Sequence, residues 1–476
     1  MSTQDILLKA KNDGIKVSGI SFDTRTIKKN YIFFAIPGSN DDGLKYVDLA
    51  INRGASAIII PYTSKNLTKK EVPVYKVRNI RSSLSDTSFR FYKNNIKNKI
   101  AITGTNGKTS VSFFIHYLLS SFSKKSATIG TLGISSNNKL SEHLTTPDSI
   151  SIAKEMQRMS SKNIDYITIE ASSHGLHQKR FFPLKFDLCM LTNISHDHLD
   201  YHKNINHYIS SKLDLFKLHL KENGMSLVNS DTSHFRKIKD SLRMNKINYK
   251  ILSNGSKRYG IKKININDNL TNVEIFINSK LYKFSFKDLP VFQIKNFLLA
   301  VTGLSLIGFN VKKMTKLSLH CPHVPGRMEL AGKKNNGARV YIDFAHTPDA
   351  LKNVLSEAKL ICKGQIVVLF GCGGNRDKKK RPLMGRIAEK YSDIALVTDD
   401  NPRDEDADKI RKEIIKKSNK MMNLKNRKNA IKKSISLLKS KDVLIIAGKG
   451  HEKYQIIKGK RFPFDDVKIA KSFLRK

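Results

Sequence analysis

Residues Gly104-Thr105-Asn106-Gly107-Lys108-Thr109-Ser110 lie between two apolar stretches of the chain. The stretch before them, Lys99-Ile100-Ala101-Ile102-Thr103, reads as a buried strand, and the one after, Val111 to Leu119, reads as an apolar helix. A strand, a glycine turn ending in Lys-Thr and a helix together form a phosphate cradle. Backbone N–H groups and the helix N-terminus face the oxygens, Lys108 meets the terminal phosphates, and the Thr109 hydroxyl can sit on Mg²⁺. The turn is shorter than the common form, because the position of the expected first glycine is occupied by Ile102. The expected ligand is a nucleoside triphosphate.

Two further segments could supply chemistry. Glu170 ends the strand-like run Asp165-Tyr166-Ile167-Thr168-Ile169-Glu170. An acid at a strand's carboxyl end, in a domain with a phosphate loop, is placed for Mg²⁺, although a lone acid is more often an ordinary surface residue. The segment His196-Asp197-His198-Leu199-Asp200-Tyr201-His202 packs several ligand types together. It could hold a transition metal, form a polar turn, or give one imidazole to a hard Mg²⁺. The absence of an HExxH spacing or a nearby thiolate, with a phosphate loop upstream, favours Mg²⁺.

The elements that must position these residues form three domains. At 476 residues the chain exceeds one ordinary core. β-like runs at Tyr31–Ile36, Ala57–Ile60 and Val72–Val77, followed by a helical pattern near Leu84–Tyr92, suggest a small α/β domain over 1–97. Candidate strands at 99–103, 165–170 and 186–192 alternate with helices, and 255–290 reads as hairpins on an antiparallel edge. A helix at about 293–307 then closes a mostly parallel-sheet domain over 98–322. Strands at 338–342, 365–370, 393–398 and 442–447 predict a doubly wound α/β domain over 323–476.

Composition narrows the function class. The four cysteines are scattered without CxxC spacing, which suits a reducing cytoplasm and argues against a zinc ribbon. The N-terminus lacks a basic and then apolar leader, and no run is long enough to span a bilayer, so no membrane insertion is expected. Lys+Arg 86 against Asp+Glu 41 gives a net charge of +45. The basic residues are spread along the chain, as in a lysine-rich solvated surface. They are not clustered as in a nucleic-acid groove, although the field would attract an anionic substrate.

The ordered set GTNGKTS, EASSHGL, SHDHLDYH and YISSKLDLF resembles the Mur ligase family of ATP-dependent amide ligases. The resemblance continues through Gln293–Ala300, Pro325-Gly326-Arg327, Asp343-Phe344-Ala345-His346 and Gly448-Lys449-Gly450-His451-Glu452, and spans essentially the whole chain. It implies that Lys108, Glu170, His196 and Lys212 are catalytic. The phosphate loop, Asn296, Arg327, Asp343 and His346 would surround ATP. Mg²⁺ ions would be held by Thr109, Glu170, His196 and a carbamate of Lys212 (N6-carboxylysine).

Ser21, in Ser21-Phe22-Asp23-Thr24-Arg25, is similar to the family's uridine-nucleotide-binding start. Thr145, Thr146, Ser172, Gln178 and Arg180 match the branch acting on UDP-N-acetylmuramoyl-L-alanyl-D-glutamate. Asp400-Asn401-Pro402-Arg403 resembles the form that takes meso-2,6-diaminopimelate rather than L-lysine, with Arg376, Gly448 and Glu452 also holding the amino acid. An arginine fork suits the extra carboxylate of that acceptor. Ser110, Thr24 and Asn375 depart from the more usual Thr, Ser and Asp.

The implied chemistry activates a carboxylate as an acyl phosphate, which an amine then attacks. A cytoplasmic monomer without a nucleic-acid partner is expected. The competing readings are a same-fold ligase with another acceptor, such as L-lysine or a folylpolyglutamate, and a basic nucleic-acid-binding ATPase.

Overall fold

The structure is a computed structural model that describes residues 5–38, 41–64, 71–133, 145–195, 197–267, 270–416, 418 and 420–475, the side chains of Leu199 and Asp200 excepted. The chain forms two compact units. The first comprises Met1–Lys263, Glu274–Tyr282 and Phe297–Met314; the second comprises Ile264–Val273, Lys283–Asn296 and Thr315–Lys476.

The first unit carries a six-stranded sheet in the order Lys250–Leu252, Leu220–Asn229, Phe186–Leu191, Asn98–Thr103, Tyr166–Glu170, Ser126–Ile129. All neighbouring pairs are parallel. Its inner strands are apolar and buried along most of their length, as expected for a sheet covered on both faces. Ile102 registers with Glu170, and Thr103 with Leu191. Three neighbouring strands therefore end together, and the loops after Thr103, Glu170 and Leu191 share one edge. Ligands bind at this carboxyl edge of a parallel sheet.

A four-stranded parallel sheet, Gly19–Ser21, Tyr31–Phe34, Ala55–Pro61 and Val74–Val77, belongs to the same unit. Helix Ile80–Phe91 packs on it and is capped by Asn79, whose side chain accepts from the Ser82 N–H. From this helix the Ser85 hydroxyl donates to the Arg180 carbonyl at 3.1 Å, joining the small sheet's layer to the segment after Gln178.

The second unit contains a sheet in the order Glu329–Lys333, Arg339–Asp343, Val443–Ala447, Ile366–Phe370, Ile394–Val397, Met422–Asn423. The first pair is antiparallel and the rest are parallel. Separate apolar clusters, one around Leu351, Leu355 and Met384 and one around Ala430, Ile431 and Ala470, match helices on both faces. The expected α/β architecture with doubly wound strands is therefore present.

One expectation is corrected. Residues 255–290 do not edge the six-stranded sheet. They form a three-stranded sheet of their own, Tyr259–Ile266, Leu270–Ile277 and Lys280–Lys287. The alternating burial of Leu270–Ile277 gives that sheet one apolar face.

Candidate active site

The phosphate loop is built by strand Asn98–Thr103 and helix Lys108–Ser121, whose N-cap Gly107 has φ +86°. Gly104 has φ +145°, and a Cβ there would strike the Thr192 hydroxyl, so only glycine fits this turn. The loop after Leu191 clamps the cradle. The Thr105 N–H donates to the Asn193 carbonyl at 2.8 Å, the Asn106 N–H to Asn193 Oδ1 at 3.0 Å, and the Thr192 hydroxyl to the Asn106 carbonyl at 2.6 Å. Lys108 Nζ donates to the Gly104 and Thr105 carbonyls, each at 2.8 Å, and so holds the amine over the loop. Ser110, the third residue of the helix, is buried.

Glu170 is 2% exposed at the end of its strand. It accepts from the Thr109 hydroxyl at 2.9 Å, from the Thr131 N–H at 2.9 Å and from the Thr131 hydroxyl at 3.2 Å. A buried carboxylate with two hydroxyls against it is an all-oxygen donor set, which suits a hard divalent cation such as Mg²⁺. Among the described residues no group of three His, Cys, Asp or Glu side chains could hold a metal. His196 lies outside the described residues.

Lys212 is 1% exposed, on helix Ile205–His219. Its Nζ donates to the Gly104 carbonyl at 2.7 Å. Burial, and then the Lys108 charge, hold its amine well below the usual lysine range, with Asp197 opposing. An amine kept neutral in this way carries the lone pair that addition to CO₂ requires.

Thr146, Ser172, Gln178 and Arg180 converge beside Glu170. The Thr146 hydroxyl donates to the Glu170 carbonyl at 2.6 Å and accepts from the Ser172 N–H at 3.0 Å. Arg180 donates to the Thr146 carbonyl at 2.5 Å and to Gln178 Oε1 at 2.7 Å. Thr145 joins through the Thr131 hydroxyl at 3.4 Å. Ser21 lies in the small sheet's layer, where its hydroxyl shares 2.7 Å with Thr26.

The second unit gathers two sets. In one, Asn296 Nδ2 donates to Gln293 Oε1 at 3.4 Å, and Gln293 donates to the Arg327 carbonyl at 3.0 Å. The Arg327 guanidinium covers the Phe344 ring at 4.6 Å, and the His346 ring packs edge-on against it with centroids 4.6 Å apart. Asp343 accepts from the Met328 and Ala345 N–H groups at 2.7 Å. Burial raises its carboxyl, while Arg327 and these amides oppose the shift.

In the other set, Asn401 Nδ2 donates to Glu452 at 2.9 Å, and Lys449 Nζ bridges Asn401 and Glu452 at 3.1 Å each. Gln455 donates to the Asp400 carbonyl at 2.5 Å. Arg403, at φ +53° after Pro402, donates to the Gly374 carbonyl at 2.8 Å. Lost hydration, and then the Arg403 charge, lower Arg376, with Glu452 opposing. Gly448 has φ +114° against the Asp400 carboxylate and leaves no room for a side chain.

Several supporting residues were not singled out from sequence: Thr131, Asn193, Tyr208, Gln293 and Lys449. Gln293 and Lys449 fall inside quoted motifs, and Tyr208 lies four residues before Lys212 on one helix face, so these three had a signal. Thr131 and Asn193 lie in loops whose composition does not distinguish them.

The model of the Mur ligase middle domain matches residues 102–304, and that of the Mur ligase glutamate ligase domain matches 326–450. A curated relative from Rickettsia montanensis, UDP-N-acetylmuramoyl-L-alanyl-D-glutamate--2,6-diaminopimelate ligase, is 39% identical over 470 residues, covering 97% of this chain and 96% of the relative. A relative of the same name from Aquifex aeolicus (strain VF5) is 37% identical, covering 96% and 94%. A solved structure of a ligase of that name matches with a TM-score of 0.67 at 28% identity, covering 96% and 95%. A Mycobacterium tuberculosis folylpolyglutamate synthase shares the fold at a TM-score of 0.62 and 15% identity, over 77% of this chain and 92% of that one. The phosphate loop, the buried lysine and the match along nearly the whole sequence agree: the chain belongs to the Mur ligase family of ATP-dependent ligases.

Proposed function

We propose that this chain joins meso-2,6-diaminopimelate to the D-glutamate γ-carboxylate of UDP-N-acetylmuramoyl-L-alanyl-D-glutamate in peptidoglycan precursor synthesis. A carboxylate oxygen attacks the γ-phosphorus of ATP, the bond to the β-phosphate oxygen breaks, and ADP leaves an acyl phosphate. The acceptor's amine then attacks the acyl carbon. The amide forms as phosphate departs, and the amine loses its proton. Such steps need positioning and charge neutralisation more than covalent help.

The family membership and the contacts described above support the following roles. The loop amides and Lys108 cradle the phosphates. Thr109 and Glu170, with His196 and carbamylated Lys212, would hold Mg²⁺, which supplies charge neutralisation when bound. Residues 1–97 with Ser21 take the uridine nucleotide, and 98–322 carry the activation chemistry, with Thr145, Thr146, Ser172, Gln178 and Arg180 on the precursor's peptide end. Residues 323–476 take the acceptor amino acid; there Arg327, Asp343 and His346, together with Asn296 from the preceding helix, serve the nucleotide. The protein acts as a cytoplasmic monomer without nucleic acid. No helix among the described residues is long and apolar enough to cross a membrane.

The observation that carries the acceptor is the gathering of Arg376, Arg403 and Glu452. Diaminopimelate offers a second carboxylate to a guanidinium fork, and a carboxylate such as Glu452 suits an ammonium. Phosphate release with the UDP-dipeptide, Mg²⁺ and bicarbonate, comparing meso-diaminopimelate with L-lysine, tests the reading. Turnover with diaminopimelate should fall about 100-fold in kcat/KM in Arg403→Ala. Turnover with lysine alone overturns the acceptor assignment.

A further inference from the structure

Arg376 and Arg403 sit on different loops, after strands Ile366–Phe370 and Ile394–Val397. Two guanidiniums repel one another, so something must hold their separation. Direct ties exist between the loops: the Gly374 N–H donates to the Asn401 carbonyl at 2.9 Å, and Arg403 donates to the Gly374 carbonyl at 2.8 Å. Behind them stands a second layer. Glu405 lies two residues after Arg403 and reaches back to the other loop, where its Oε1 accepts from the Asn375 N–H at 2.5 Å.

The same carboxylate is gripped by Arg381, which donates to Oε1 and Oε2 at 3.0 Å each. The Arg381 side chain is 0% exposed and also donates to Glu413 at 2.7 Å. These Arg381 bonds lower the Glu405 carboxyl to about 2, so it stays ionised at working pH. An ion cluster centred on a fully buried arginine, with its two carboxylates partly exposed, gains little stability over an apolar replacement, so its presence points to a geometric role. Glu405 is the only member of the cluster seen touching both the Arg381 fork and the Asn375 backbone, one residue from Arg376.

We propose that Glu405, locked by Arg381, is a positioning residue that sets the Arg376-to-Arg403 gap and thereby the grip on the acceptor's second carboxylate. This rests on the diaminopimelate reading above. Glu405 touches no substrate. It fixes the backbone from which Arg376 projects, and a misplacement of a fraction of an ångström between two forks weakens bidentate binding.

Steady-state kinetics of wild type, Glu405→Gln and Glu413→Gln, with meso-diaminopimelate varied, tests it. Glu405→Gln should raise the KM for diaminopimelate about tenfold, with kcat and the KM values for ATP and the UDP-dipeptide within about twofold. Glu413→Gln weakens the same Arg381 without touching Asn375. It should lower the melting temperature as Glu405→Gln does, yet leave that KM within about twofold. Should Glu405→Gln not fold, Arg381→Lys keeps the charge but loses the fork, and should raise the KM about threefold.

Equal KM effects in the two glutamate variants, or an unmoved KM in Glu405→Gln or its substitute, overturn the positioning role. Absence of wild-type turnover with diaminopimelate overturns the underlying reading as well, so the two failures are told apart in one assay.

Discussion

The Tyr208 hydroxyl lies 2.9 Å from the Thr105 hydroxyl, and Lys212 Nζ lies over the face of the same ring, 4.6 Å from its centroid. One side chain thus joins the phosphate loop to the buried lysine. Tyr208→Phe keeps the ring under Lys212 and removes only the bond to the loop. Thr105 then retains the Ser195 N–H as donor at 2.9 Å. We expect a stability loss of about 1 kcal/mol by urea titration and a rise of roughly threefold to tenfold in the KM for ATP, because a neutral hydrogen bond contributes on that scale. An unchanged KM for ATP would show that the loop is held well enough without Tyr208, by Asn193, Thr192, Ser195 and Lys212.

On the proposed carbamate, Lys212 would link activity to dissolved CO₂. Its folded-state affinity for protons is depressed by burial, so the folded protein releases a proton that the unfolded chain keeps. The cost to stability is absent above the ordinary lysine range and grows as pH falls through it toward the depressed value. Lys212→Met should therefore be at least as stable as wild type near neutral pH, while its ligase activity falls by at least about 100-fold. Stripping CO₂ from the wild type should lower turnover, and bicarbonate should restore it. A carbamate signal from carbon-13 bicarbonate, absent in Lys212→Met, is the direct check.

His219 supplies an acid-side test away from the chemistry. It is 2% exposed, packs against both the Phe181 and Phe186 rings, and has its Nδ1 3.0 Å from the Leu184 carbonyl. Burial lowers it from 6.5 to about 4, against that backbone bond. For a base with a depressed folded value, the unfolded chain takes up the proton first. Stability is then lost as pH falls from the ordinary value to the folded one. Over that window the loss from this residue is about 3 kcal/mol. Denaturant titrations of wild type and His219→Gln at pH 7 and pH 4.5 should show a smaller pH dependence in the variant. Equal slopes would remove His219 from the acid limb.

Much of the site was legible because its chemistry is local. Gly104 to Thr109 needs a strand before it and a helix after it, and the residues on either side already have those periods. Glu170 follows an apolar run of strand length, and the register of neighbouring parallel strands carries it to the same edge. The order of motifs along the chain was enough to assign the family, and several of them, such as those at Gly104, Glu170 and Asp343, mark the ends of strands. The 255–290 region was misplaced for a related reason: alternation shows that a strand has one buried face but not which sheet it joins.

Other features depend on partners distant in sequence. Thr105 and Tyr208 are 103 positions apart, and Lys212 is 108 from the Gly104 carbonyl it meets. Within Lys378-Lys379-Lys380-Arg381 the composition reads as a solvated basic run, yet Arg381 is fully buried because Glu405 and Glu413 are folded against it. By itself the sequence determined the phosphate cradle, three of the central sheet's six strands and most strands of the other two parallel-rich sheets, and which residue types could do the chemistry, since these depend on periodicity and turn chemistry within a few residues. Only the tertiary structure decided which of 86 basic side chains lose water and which carboxylates face them. Burial and ion pairing arise between segments that the chain brings together only when the sheets close.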